Sequence, residues 1–258
     1  MQDLLNICLI QVPLHWENRS ANIEHFTKLF AQVKGGTDLV VLPETFTTGF
    51  SMKKEQAEAD GFTVEWMKKM SAQYGFSISG SFFVNEDGKC YNSHHFVQPD
   101  GAVNTYSKKH LFRLTNEQEV FTPGDKQIVF NYKGWNISLM VCYDLRFPVW
   151  MRRTDKNNYD LVLLVANWPE RRAHAWSTLL NARAIENQSY VIGVNRVGRD
   201  GSDFLYAGES VVIDPMGKYI SKGKIFTEEL VYTEVSHSTL QAIRKALPFY
   251  EDRDGFML

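Results

Sequence analysis

The chain has 258 residues, 44% of them hydrophobic and 22% charged, with a net charge of −2. That balance describes a soluble globular protein with a sizeable core, and it supplies no excess basic charge for nucleic acid or anionic membranes. No apolar run approaches the roughly 20 residues of a membrane span. The first six residues lack the basic start, long apolar core and cleavage site of a signal peptide. Cys8, Cys90 and Cys142 are far apart and odd in number, a pattern of free thiols in a reducing cytoplasm. With no CxxC pair, no structural zinc site is expected.

Residues 4–12 (LLNICLIQV) form a continuous apolar run and read as a buried first strand, with Cys8 as a small core hydrophobe. Asn18 or Ser20 then caps a helix whose Ile23, Phe26, Phe30 and Val33 recur at helical spacing, ended by Gly35-Gly36. Residues 38–42 are a second buried strand, closed by Pro43-Glu44, and the β-α-β order makes the two strands parallel. After a loop over residues 45–52, a helix is predicted over 56–73, with Val64, Met67 and Met70 inward, then a strand over 76–84. Asn85-Glu86-Asp87-Gly88 and Pro99-Asp100-Gly101 are hairpin turns, so 90–98 and 102–107 are antiparallel strands. The polar, irregular stretch 108–125 has the length of a functional loop.

Residues 127–132 and 135–141 pair around Lys133-Gly134, and the second strand stops at Cys142. Asp144 is placed to cap a helix from Leu145 to about Arg153, whose N-terminal N–H groups would stabilise a Cys142 thiolate. A strand over 159–165, a helix over 173–186 and a strand over 190–195 follow. Strands over 209–213, 218–221 and 229–235, a short helix capped by Ser236, and an extended aromatic tail over 248–258 complete the chain. The pattern predicts one domain, 1–258, built as a layered α/β sandwich with mixed sheets.

Three polar residues stand where apolar strands end: Glu44, Lys108 and Cys142. Open α/β folds build sites at such strand ends. A cysteine nucleophile needs a base, which Glu44 supplies, and a cation beside the oxyanion, which Lys108 supplies. A Cys142 pairing with His110 or His174 would match no protease spacing and would leave Glu44 and Lys108 without roles. His94-His95 has no acidic or histidine partners at metal-ligand spacing.

Leu42-Pro43-Glu44-Thr45-Phe46, Tyr106-Ser107-Lys108-Lys109-His110-Leu111-Phe112 and Val141 to Pro148 (VCYDLRFP) resemble, in order, the three signature blocks of the nitrilase superfamily. Pro123-Gly124-Asp125, residues 182–187 (ARAIEN) and Gly208-Glu209-Ser210 also look like its landmarks. The resemblance implies Glu44 as general base, Lys108 rather than Lys109 as the oxyanion-stabilising lysine, and Cys142 as nucleophile. It assigns a second glutamate to Glu117, with Glu119 as the alternative, and completes the oxyanion hole with the Tyr143 backbone N–H. It further implies a four-layer αββα sandwich of two mixed β-sheets, pairing as a homodimer, with no metal and no organic cofactor.

Within that superfamily the chain looks most like the omega-amidases, with supporting stretches at 109–113, 141–150 and 165–169 followed by Arg171-Arg172. These enzymes hydrolyse the terminal amide of 2-oxoglutaramate and 2-oxosuccinamate through a cysteine thioester, and in bacteria the reaction follows glutamine transamination, including the step closing methionine salvage. An amidase acting on N-carbamoyl or aliphatic amides, and a catalytically retired scaffold, are the alternatives. A substrate carboxylate calls for a bidentate cation, for which Arg146, Arg171 and Arg172 are candidates. Phe46, Phe112, Tyr143 and Trp168 are expected as an aromatic wall. The partner is thus a small-molecule amide, with no nucleic acid and no membrane.

Overall fold

In the computed structural model, which describes residues 2–255, the first apolar run forms β1 (Leu4–Gln11), and Asn18 caps α1 (Arg19–Phe30) by accepting from the Ala21 N–H. Then come β2 (Leu39–Val41), α2 (Phe62–Tyr74) and three strands, β3 (Ser77–Glu86), β4 (Lys89–Val97) and β5 (Val103–Ser107). A one-turn helix, α3 (Glu117–Val120), interrupts the long loop before β6 (Val129–Tyr132) and β7 (Trp135–Val141). The second half runs through α4 (Pro148–Met151), β8 (Leu161–Ala166), α5 (Ala173–Asn187) and β9 (Tyr190–Asn195). It ends with β10 (Val197–Arg199), β11 (Leu205–Ala207), β12 (Val211–Ile213), β13 (Tyr219–Lys222), β14 (Glu229–Ser236) and α6 (His237–Ala246).

Two six-stranded mixed sheets result, ordered β14-β1-β2-β3-β4-β5 and β13-β12-β9-β8-β7-β6. Within each, three central strands run parallel, β1-β2-β3 and β7-β8-β9, and the outer pairings are antiparallel. The period-two alternation of a strand buried on both faces explains the layering. Leu5, Ile7 and Leu9 of β1 join Leu39, Val41 and Phe96 against the second sheet, in one core with Ile137, Leu139 and Leu163. The intervening Cys8 and Ile10 face α1 and α2, packing with Phe26, Phe30, Trp66 and Met67. On the opposite side, Trp176 and Leu180 of α5 cover the second sheet so closely that a Cβ on Gly193 would lie 2.7 Å from Leu180 Cδ1. The order of layers is helix, sheet, sheet, helix.

Four expectations change. The helix predicted from Leu145 is a 3-10 turn, Cys142–Arg146, followed by the single turn of α4. Pro148 is the cause: it disfavours helical backbone at Phe147, which sits at φ −114° and ψ 87°. The second helix starts at Phe62 rather than near residue 56, because Gly61 turns left-handed at φ 66° just before it. The short ribbon β10–β11 carries no strand pattern in the sequence. In the predicted extended tail, Phe249–Asp252 makes a 3-10 turn, and residues 256–258 lie outside the described residues.

Candidate active site

Four strand ends converge. Glu44 follows β2, Lys108 follows β5, Cys142 follows β7 and Asn167 follows β8. Glu44 and Lys108 are buried. The Glu44 carboxylate accepts from Lys108 Nζ at 3.1 Å and Asn92 Nδ2 at 2.8 Å on one oxygen, and from the Asn167 N–H at 2.7 Å on the other. Asn167 Nδ2 also donates to the Glu44 carbonyl at 2.7 Å and to Thr45 Oγ1 at 2.9 Å. Lys108 Nζ donates to both Glu117 oxygens at 3.0 Å, and Glu117 Oε2 accepts the Phe112 N–H at 2.5 Å.

That geometry separates the sequence alternatives. Glu117 is buried on the lysine, whereas Glu119 is exposed and touches Gln118. Lys108 points into the carboxylates, whereas Lys109 Nζ lies 5.2 Å from the centre of the Trp150 ring. His110 is engaged by Asp144, and His174 is exposed on α5. His94 and His95 are core residues: His94 Nδ1–H donates to the Met140 carbonyl at 3.1 Å, its Nε2 accepts from Ser79 Oγ at 2.8 Å, and His95 stacks on Phe82.

Cys142 has φ 39°, a left-handed backbone that costs a non-glycine residue on the order of 1–3 kcal/mol. The bend turns its side chain into the cleft, with the thiol donating to the Asn167 carbonyl at 3.9 Å. Burial and the Glu44 charge push the thiol well above its ordinary range and outweigh the pull of Lys108. The helix N-terminus expected to favour a thiolate is absent, because the segment behind Cys142 is a five-residue 3-10 turn, and the Glu44 charge opposes thiolate formation. Burial disfavours the Lys108 charge, but the Glu117 and Glu44 carboxylates outweigh it and hold the side chain firmly as an ammonium. Burial pushes Glu117 up despite that ammonium. A neutral thiol beside a carboxylate and a fixed cation is poised for proton transfer on attack.

The cleft above Cys142 has a volume of about 420 Å³ and is walled by Phe50, Phe112, Tyr143, Trp168, Phe204 and Tyr206. Arg146, Arg171 and Arg172 also line it, each with its guanidinium over an aromatic ring: Trp168 at 4.9 Å, Phe204 at 4.7 Å and Phe112 at 5.2 Å. Among the described residues, none of the three pairs with a carboxylate. Burial and the neighbouring Arg171 charge hold Arg172 below the usual guanidinium range. Phe46 does not reach the cleft. It is fully buried among Phe26, Trp66 and Phe82, on the helix side of the first sheet, two residues after a glutamate that faces the other way.

Several sequence landmarks brace this arrangement. A Cβ on Gly124 would lie 2.0 Å from the Ser107 carbonyl, so only glycine lets its N–H reach the Lys108 carbonyl at 2.8 Å. Arg183 of α5 donates to the Leu145 carbonyl at 2.8 Å behind the cysteine turn. Ser210 Oγ donates to the Asn195 carbonyl, and Asn195 Oδ1 accepts the Trp168 N–H at 2.8 Å. Asn92 and Asn167 were not singled out from the sequence; Asn167 follows a buried strand as Glu44 and Cys142 do, and that position was the available signal.

The carbon-nitrogen hydrolase family model matches residues 6–245. The omega-amidase YafV of Yersinia enterocolitica is 42% identical over 98% of this chain and 98% of its own, and the 2-oxoglutaramate amidase of Bacillus subtilis is 32% identical over 95% and 96%. Among solved structures, XC1258 from Xanthomonas campestris, a CN-hydrolase superfamily protein with an arsenic adduct in its active site, superposes with a TM-score of 0.96 at 41% identity, covering all of both chains. The chain belongs to the carbon-nitrogen hydrolase family, enzymes of the nitrilase superfamily that hydrolyse amide C–N bonds.

Proposed function

We propose that the protein is an omega-amidase, hydrolysing the terminal amide of 2-oxoglutaramate or 2-oxosuccinamate to the 2-oxo dicarboxylate and ammonia. The observation that carries this reading is the set of three guanidiniums, Arg146, Arg171 and Arg172, around the cleft that ends at Cys142, none of them paired with a carboxylate among the described residues. An amide with a carboxylate at its far end gives those cations a bidentate partner while its C–N carbon reaches the sulfur. The similarity to omega-amidase YafV and to 2-oxoglutaramate amidase supports the same substrate class.

In this reading Glu44 takes the thiol proton as Cys142 attacks the amide carbon. Lys108 Nζ and the Tyr143 N–H stabilise the oxyanion, and Glu44 returns the proton to the departing ammonia. Water, activated by Glu44, then hydrolyses the thioester, releasing the acid and restoring the thiol. Glu117 keeps Lys108 charged and aimed. No step draws on a metal or organic cofactor.

Residues 1–258 act as one catalytic domain, a reading supported by the continuous family match and the shared core of the two sheets. Pairing as a homodimer is supported by exposed Ile185, which packs at Gly217 next to exposed Met216, and by half-exposed Tyr219, whose hydroxyl donates to the Ser177 carbonyl of the same helix. The free thiols of Cys8, Cys90 and Cys142 support a cytoplasmic setting, where the reaction would follow glutamine transamination, including that closing methionine salvage. The test is ammonia release across ω-amides of 2-oxo acids, the same amides lacking the carboxylate, nitriles and N-carbamoyl compounds. The carboxylate-bearing ω-amides are expected to lead; equal rates without the carboxylate would overturn the assignment.

A further inference from the structure

Asp144 stands two residues after the nucleophile, and the reaction scheme gives it no role. It is fully buried. Its Oδ2 accepts from Tyr106 Oη at 2.7 Å and from the Val141 N–H at 3.1 Å. Its Oδ1 accepts from the His110 backbone N–H at 3.0 Å and faces His110 Nδ1 at 2.8 Å. The Tyr106 hydroxyl in turn accepts from Trp150 Nε1 at 2.9 Å and from the Lys109 N–H at 3.2 Å.

One carboxylate thus ties three segments: the end of β5, the loop carrying Lys108, and the end of β7 immediately before Cys142. The backbone at Cys142 is left-handed and holds that form only if its surroundings dictate it. The side chain that closes the turn by accepting from the Val141 N–H is Asp144. The same carboxylate fixes the chain two residues beyond Lys108, and His110 is further clamped by stacking on Phe147 at 3.6 Å. The spacing between sulfur and ammonium is therefore set through a group that touches neither.

We infer that Asp144 is a positioning residue for the reaction, locking the strained Cys142 turn and the Lys108 arm to one another through Tyr106 and His110. This rests on the amidase reading above, in which sulfur and ammonium act on the same carbonyl. It places Asp144 among the determinants of the chemical step and not of substrate binding, because the cleft arginines belong to other contacts.

The experiment compares Asp144→Asn and Tyr106→Phe with the wild-type chain, measuring kcat and KM for 2-oxoglutaramate, the rate of Cys142 alkylation by iodoacetamide followed by peptide mass, and Tm. Asp144→Asn is expected to lower kcat by about 100-fold, the scale of a small misplacement of reacting groups, and to change the alkylation rate. KM is expected to stay within about threefold, as for an interaction that acts in the transition state. Tyr106→Phe, which removes one donor to the carboxylate, is expected to lower kcat by about tenfold. A folded Asp144→Asn chain with kcat and alkylation at wild-type levels would overturn the inference. So would a fall in Tm alone. Should Asp144→Asn not fold, Tyr106→Phe decides: a tenfold loss of kcat at constant KM supports the inference, and no loss overturns it. Alkylation needs no amide, so wild-type protein that releases no ammonia would sink the substrate reading and leave the Asp144 test standing.

Discussion

The Glu44 charge helps raise the Cys142 thiol, and that effect yields a prediction with two opposite signs. Glu44→Gln removes the charge that helps keep the thiol protonated, so more thiolate forms at neutral pH and iodoacetamide alkylation of Cys142 speeds up. The same change removes the base, so amide hydrolysis falls by roughly 10²–10⁴-fold. Parallel losses in both assays would show that Glu44 acts on the thiol more as a proton acceptor than as an opposing charge, and would overturn the first half of the prediction. Arg172 and Phe46 separate binding from packing. Arg172→Ala is expected to raise KM for 2-oxoglutaramate by roughly 10- to 100-fold, the worth of a charge-assisted hydrogen bond. Phe46→Ala is expected to cost about 3–5 kcal/mol of stability, read by denaturant unfolding, with KM unchanged. At this scale the meeting of Glu44, Lys108 and Cys142 in one cleft was legible from strand ends and three signature blocks, and Glu117, which lies on the lysine, was placed by the resemblance alone. Phe46 was misplaced because neighbours of a functional residue in sequence leave the backbone on different sides. The ionisation of Cys142 was not legible, since it depends on a carboxylate about a hundred residues away.

The strand β4 shows how an element carries polar groups through a core. His94 joins it to β7 through the Met140 carbonyl, two residues before Cys142, and burial pushes both His94 and His95 down to about 3. The folded state keeps these imidazoles neutral, while the unfolded chain protonates them below about 6.5. Between those limits the unfolded state binds more protons, so stability falls as pH drops from 6.5 toward 3. Thermal melts across that window are expected to show a falling Tm, flattened in a His94→Gln/His95→Gln variant; an equal slope in both would place the acid sensitivity elsewhere. The elements themselves were largely readable: β7 and β9 have the predicted ends, and Asn18 and Ser236 cap their helices. The one-turn α4 was read as part of a longer helix because hydrophobic spacing does not register what Pro148 does to its neighbour. The ribbon β10–β11 was missed because three-residue strands are too short to show alternation.

Across the molecule, two sheets meeting face to face bring together residues from distant parts of the chain: Glu44 and Lys108 from the first sheet, Cys142 and Asn167 from the second. The site exists only when both sheets are packed, since Glu44 is held by donors from each. The layered architecture was legible from two β-α-β regions flanking hairpins, and the cleft was not, because its walls come from loops that follow strands in both sheets. The central claim is that an ω-amide enters that cleft and acylates Cys142. Rapid acid quenching of the protein mixed with 2-oxoglutaramate, followed by mass analysis of the peptide carrying Cys142, tests it directly. The account predicts an acyl group on that cysteine at early times, decaying as 2-oxoglutarate accumulates, and neither adduct nor ammonia with Cys142→Ala. Ammonia released at the wild-type rate by Cys142→Ala would contradict it.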